Sequence, residues 1–181
     1  SVYDKSGLIE LEDYMEKEEA VINTDVSTSF NINPIYFDLD RYNIRADAKV
    51  ELDKMVKIMN DYPEMEIELG SHTDCRQTMA YNERLSDRRA KASAAYIKSR
   101  IKNPARIYGK GYGETQLKND CGCEPTNESS CSDDQHQMNR RTEFKIIKVG
   151  APKNGVKPNT NYIVDNSNGG SRVVTNVNKQ N

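Results

Sequence analysis

No stretch of about 20 consecutive apolar residues occurs in the 181-residue sequence, which excludes a membrane-spanning helix within it. No basic, apolar leader stands at Ser1, so no signal peptide is expected there and targeting information is expected either to lie outside the chain or to have been removed already. A basic excess is also missing: 26 Lys and Arg stand against 28 Asp and Glu, which argues against a general nucleic-acid binder. There is no Walker loop and no dinucleotide fingerprint. Apolar residues are scarce, at 35% with a mean hydropathy of −0.87, so the core is expected to involve rather fewer than all the residues. The length nevertheless fits one domain.

The charge is unevenly spread. Residues 1–31 carry eight acids and two bases, net −6; residues 32–149 carry nineteen acids and twenty bases, net +1; residues 150–181 carry one acid and four bases, net +3. The balanced middle holds nearly all of the periodic apolar pattern, and the two ends read as attachments. The first, with Leu8, Leu11, Met15 and Ile22 among many acids, is expected to be an acidic linker with some helix, or the end of a preceding region. The last has eight Asn in 32 residues and reads as a tail that buries little, in which Tyr162–Val164 and Val173–Val174 either pair as short strands or merely tether it.

Within residues 32–149 the periods alternate. Ile35, Tyr36 and Phe37 read as the end of a strand. Ala48, Leu52, Met55, Val56 and Met59 form the apolar stripe of a helix over 46–60, ended by Asp61, Tyr62 and Pro63. Met65, Ile67 and Leu69 alternate with Glu66 and Glu68, the two-residue period of a strand. A second helix over 79–102 carries Ala90, Ala94, Ile97 and Ile101 on one stripe. Further strands are expected over 106–110 and 142–148. This order predicts a two-layer α/β (α+β) domain with helices on one face of a small mixed four-stranded sheet.

Five motifs stand along this segment: YFDLDRYNIR (36–45), GSHTDCR (70–76), YNERLSDRRAKAS (81–93), GYGE (111–114) and NRRTEF (139–144). In this order they resemble the OmpA-like peptidoglycan-binding domain. The resemblance covers residues 32–149 and implies non-covalent binding of the peptidoglycan stem peptide through its diaminopimelate residue. It implies that Asp74 and Arg89 grip the diamino acid. It places further ligand contacts at Phe37, Asp38, Thr73, Asn82 and Leu85, with Arg140 in the last motif. It also implies a periplasmic location at the outer membrane of a Gram-negative bacterium, with any membrane element outside this chain.

The residue chemistry fits that implication. The free end of diaminopimelate carries an ammonium and a carboxylate on one carbon, so its reader needs an acid and a base held close together. Arginine suits a two-pronged grip on a carboxylate. Asp74 follows directly on a predicted strand. Asn82, Leu85, Ser86 and Arg89 share one helix edge, offset from the Ala90–Ala94–Ile97–Ile101 stripe that packs the core. Arg88 is expected to cover the surface, and Tyr42 and Ile44 to pack.

Cys75, Cys121, Cys123 and Cys131 complete the pattern, the last three in a polar loop longer than the family's usual stretch there. The oxidising location implied by the resemblance turns an even cysteine count into disulfides. Cys75 is then joined to Cys121 or to Cys123, with Cys131 taking the other. A zinc site of Cys121, Cys123, Cys131 and His136 is the rival, with spacing unlike common zinc modules.

Enzyme chemistry is not expected. Ser71, His72 and Asp74 make a catalytic trio on paper, but neighbouring strand residues point to opposite faces. Asp38 and Asp40 have no supporting site, and His72 reads as a packed strand-end residue. No cofactor or metal is expected. The alternative function is an OmpA-like fold used for protein–protein contact through the cysteine loop and the tail.

Overall fold

The computed structural model describes residues 22–126, 128–157 and 160–177. Apart from Ile22, the helix-like stretch read over residues 7–22 lies outside these.

Helix α1 (Ser27–Phe30) is a single turn, and α2 (Ala46–Asp61) is the first long helix. Ala48, Leu52, Met55 and Met59 of α2 are fully or almost fully buried, as their spacing predicts, while Val56 of the expected stripe is only partly buried and Ile58, outside it, is fully buried. Strand β1 (Glu66–His72) follows, then α3 (Met79–Lys98), β2 (Ile107–Gly113), the short α4 (Asp133–Gln137) and β3 (Arg141–Lys148). The sheet order is β2-β1-β3, with β1 parallel to β2 and antiparallel to β3. A parallel pair needs a crossover, and α3 supplies it. Ile67, Leu69, Ile107, Phe144 and Ile146 face the helices and join Ala90, Ala94 and Ile97 in one core. On the other face Glu68 accepts hydrogen bonds from the Tyr108 and Tyr112 hydroxyls.

One expected strand is absent. Ile35–Phe37 runs extended but pairs with no strand among the described residues, so the main sheet has three strands rather than four. Its outer edge is lined instead by residues 23–26. Asn23 and Val26 donate backbone hydrogen bonds to Ile146 and Phe144 at 2.7 Å, and Asp25 bridges Lys145. A three-residue apolar run does not by itself distinguish a strand from an extended segment anchored by side chains. Here the anchors are Ile35, buried in the core, and Asn33 just upstream, which is held by a buried ion pair of α2. Glu51 and Lys54 of α2 meet at 2.9 Å, and the same carboxylate accepts from the Asn33 backbone and side-chain amides. This fixes the segment that carries Phe37 toward the pocket described below.

Helix α3 lies unusually close on β2. A Cβ at Gly109 would sit 2.8 Å from the Lys91 nitrogen, and one at Gly111 2.6 Å from the Ser86 hydroxyl, so only glycine fits at either position.

Strands β4 (Thr160–Asp165) and β5 (Arg172–Val177) form a separate antiparallel hairpin. It packs on the end of α2 through Tyr162, which is fully buried. The Tyr162 hydroxyl donates to Asp61 Oδ2 at 2.9 Å, and Lys57 and Lys153 flank the same carboxylate. The expectation of a segment that buries little therefore fails at this residue.

Candidate functional site

The site is built where β1 runs out. Thr73 and Asp74 form the turn, pinned by a backbone bond from Thr73 to the Gly113 carbonyl. Asn82, buried on α3, donates its side-chain amide to the Asp74 and Arg76 carbonyls at 3.2 and 3.0 Å and so holds the turn against the helix. The Asp74 carboxylate is saturated. Oδ1 accepts from the Arg76 backbone and Nε, and Oδ2 accepts from Arg76 Nη2 at 2.8 Å and Arg140 Nη1 at 2.7 Å. Burial pushes the Asp74 carboxyl up, but these hydrogen bonds outweigh it and hold the group below the usual carboxylate range.

Arg89 comes from the other side. It sits further along the α3 edge that carries Asn82 and Leu85, and its guanidinium lies over the Phe37 ring with 4.9 Å to the centroid. Nε donates to the Arg41 carbonyl at 2.9 Å and Nη2 to the Asp38 carbonyl at 3.2 Å. The group is thus braced by backbone and by an aromatic face, and no carboxylate pairs with it among the described residues. Burial lowers its pKa, but an arginine stays charged at any working pH.

Between these two arms lies an open pocket of about 510 Å³. Phe37, Thr73, Asp74 and Asn82 line it, and Leu85, Arg89 and Arg140 complete the wall. Asp38 stands apart: its carbonyl braces Arg89, while its carboxylate turns to Arg45 at 3.3 Å. The pocket is also lined by Leu39, Asp40, Arg76 and Tyr81, which stand within the motifs but were not among the expected contacts, and by Gln77, which stands outside them. The Tyr81 hydroxyl donates to Asp40. Arg76 carried a usable signal, since a residue two positions after an aspartate is the usual partner of an Asx turn. The lining charges are Asp40 and Asp74 against Arg76, Arg89 and Arg140, so acid and base face one space. Thr73 Oγ1 is buried and has no hydrogen-bond partner among the described residues. Of the flanking residues, Arg88 lies over Tyr42, which is 45% exposed rather than packed inside, and Ile44 packs against the core.

The cysteine loop reaches this rim. Cys75 pairs with Cys123 and Cys121 with Cys131, one of the two expected arrangements. All four sulfurs are used in disulfides, which leaves no thiolate for the zinc alternative; His136 is buried in α4. Ser132 caps α4 in a reciprocal box with Gln135, and Asp133 in the first turn reaches Arg76 at 3.3 Å and Arg140 at 3.5 Å. His72 is packed as expected: its ring stacks on Tyr112 with centroids 5.0 Å apart, and Nε2 lies 3.6 Å from Glu143.

A family model described as the OmpA family matches residues 36–130. The peptidoglycan-associated lipoprotein of Brucella melitensis is 38% identical over 90 residues, which is 48% of this chain and 54% of that protein. A photosystem I P700 chlorophyll a apoprotein A2 from Gloeobacter violaceus is 34% identical over 114 residues, which is 62% of this chain but only 12% of that protein. The chain thus spans about half the length of the lipoprotein and a small part of the photosystem subunit. Among solved structures, the peptidoglycan-associated lipoprotein of Burkholderia pseudomallei superposes with a TM-score of 0.52 at 20% identity, covering 62% of this chain and 88% of that one, a likeness of fold.

Proposed function

The chain belongs to the OmpA family, and on that premise we propose that its pocket binds the peptidoglycan stem peptide through diaminopimelate, anchoring an outer-membrane protein to the cell wall from the periplasmic side. The observation that carries this reading is that Asp74 and Arg89, from different elements, line one open pocket. A zwitterionic amino-acid end presents an ammonium and a carboxylate a few ångströms apart, and the pocket offers both complements. Arg89, free of any carboxylate partner among the described residues, takes the ligand carboxylate. Asp74, with Asp40 nearby, takes the ammonium, and the half-exposed Arg76 yields its place on Asp74 to do so. The Thr73 hydroxyl supplies a further polar contact.

Charge-assisted hydrogen bonds contribute about 1.5–3 kcal/mol each. Two of them with a few neutral contacts, less the cost of association, correspond to roughly −5 to −8 kcal/mol, a micromolar site. That is enough for anchoring, because the wall presents the ligand in many copies. Calorimetric titration of the purified chain with free meso-diaminopimelate tests the reading. Saturable micromolar binding supports it, and the absence of heat at millimolar ligand overturns it.

A further inference from the structure

A second, smaller pocket of about 190 Å³ adjoins the first and shares Phe37, Arg89 and Arg140 with it. Arg45 and Arg141 add two more guanidinium groups to its lining, and no carboxylate lines it. The acidic partners of these groups are outside that lining: Arg45 meets Asp38 and Asp47, Arg140 meets Asp74 and Asp133, and Arg141 meets Glu143. His72, 3% exposed, also lines this pocket, and its Nδ1 has no hydrogen-bond partner among the described residues. Four arginines thus converge on a space whose lining holds no carboxylate, Arg89 without an acidic partner among the described residues, a field that favours an anion there. Arginine forks are also the donors best matched to a carboxylate.

Resting on the reading of the main pocket, we propose that this neighbouring pocket receives a second carboxylate of the same wall peptide, so that the protein reads a free anionic peptide arm as well as the diamino acid. Arg89 and Arg140 stand in both pockets, so a ligand anchored by its diaminopimelate end passes directly from one to the other. Two groups in a stem peptide supply such a carboxylate: the α-carboxylate of the D-glutamyl residue and the terminal carboxylate of D-alanine.

The test is calorimetric titration with four synthetic peptides: L-alanyl-γ-D-glutamyl-meso-diaminopimelate, its D-glutamyl α-carboxamide, the D-alanine-extended tetrapeptide, and that peptide's C-terminal amide. In the wild-type chain, capping whichever carboxylate is read weakens binding by about tenfold, the contribution of one charge-assisted contact. The pair that shows the loss identifies the source. Arg45→Gln lies outside the main pocket and keeps the uncapped peptides bound, but brings that ratio close to one. Arg141→Lys, which retains the charge beside Glu143, guards against a folding defect and lowers the ratio in the same direction. Peptides that all bind equally, capped or not, overturn this proposal and leave the main reading standing. A capping effect undiminished in both variants also overturns it. Failure of every peptide to bind overturns both readings together.

Discussion

Arg140 Nη1 lies 2.7 Å from Asp74 Oδ2, joining the first turn beyond β1 to the start of β3 across 66 residues of sequence. With Arg76 on the other oxygen, this makes Asp74 both the acid of the pocket and the clasp that closes it.

That double role has a pH signature. The folded protein holds the Asp74 carboxyl below its ordinary value, so its contribution to stability is complete above the unfolded value of about 3.9 and is lost as pH falls through the folded one. Asp74→Asn is expected to be about 1–3 kcal/mol less stable than wild type at pH 7. The gap should narrow steadily below about pH 4. Urea unfolding of both proteins across this range measures it, and a gap independent of pH would contradict the role.

The close approach of α3 to β2 leaves no room for a methyl group. Gly111→Ala places its Cβ against the Asp87 backbone and the Ser86 hydroxyl, which is held in place because it donates to the Glu83 carbonyl and accepts from the Gly113 amide. Overpacking of this kind costs about 1–3 kcal/mol. Because α3 carries Asn82 and Arg89, its displacement should weaken ligand binding as well as lower the thermal midpoint.

Tyr162 makes the C-terminal hairpin part of the folded body. Tyr162→Phe removes one buried hydrogen bond to Asp61 while keeping the ring, and is expected to cost about 1 kcal/mol. Tyr162→Ala also empties the space beside Phe30 and should cost about 3–5 kcal/mol. Thermal unfolding checks both; two neutral substitutions would mean the hairpin adds nothing.

The Cys75–Cys123 bridge joins positions 48 apart and begins one residue after Asp74. Replacing both cysteines by serine should lower stability by about 2–5 kcal/mol. It should also weaken ligand binding, because the loop that brings Asp133 to Arg76 and Arg140 is no longer tied to the turn.

Much of this was legible in the residues. The stripe from Ala48 to Met59 and the alternation around Ile67 are direct consequences of period, and the spacing of Asn82, Leu85 and Arg89 puts them on one edge. Three features were not readable, each for a physical reason. Ile35–Phe37 is too short a run for periodicity to separate a strand from an anchored extended segment. The cysteine pairing depends on how a long polar loop folds back, which local spacing does not encode. Tyr162 is buried by a long-range bond to Asp61 that no local pattern in an Asn-rich segment announces. One signal was present and unused: Ser132 and Gln135 stand at capping-box spacing, which marks the start of α4.

The central claim is that Asp74 and Arg89 read the wall peptide. Its most direct test is co-sedimentation of the chain with purified sacculi, alongside folded Asp74→Ala and Arg89→Ala variants and with free diaminopimelate as competitor. Wild type should pellet and be released by the free ligand, while both variants stay in the supernatant. Variants that pellet as well as wild type, or a wild type that never pellets, would contradict the claim.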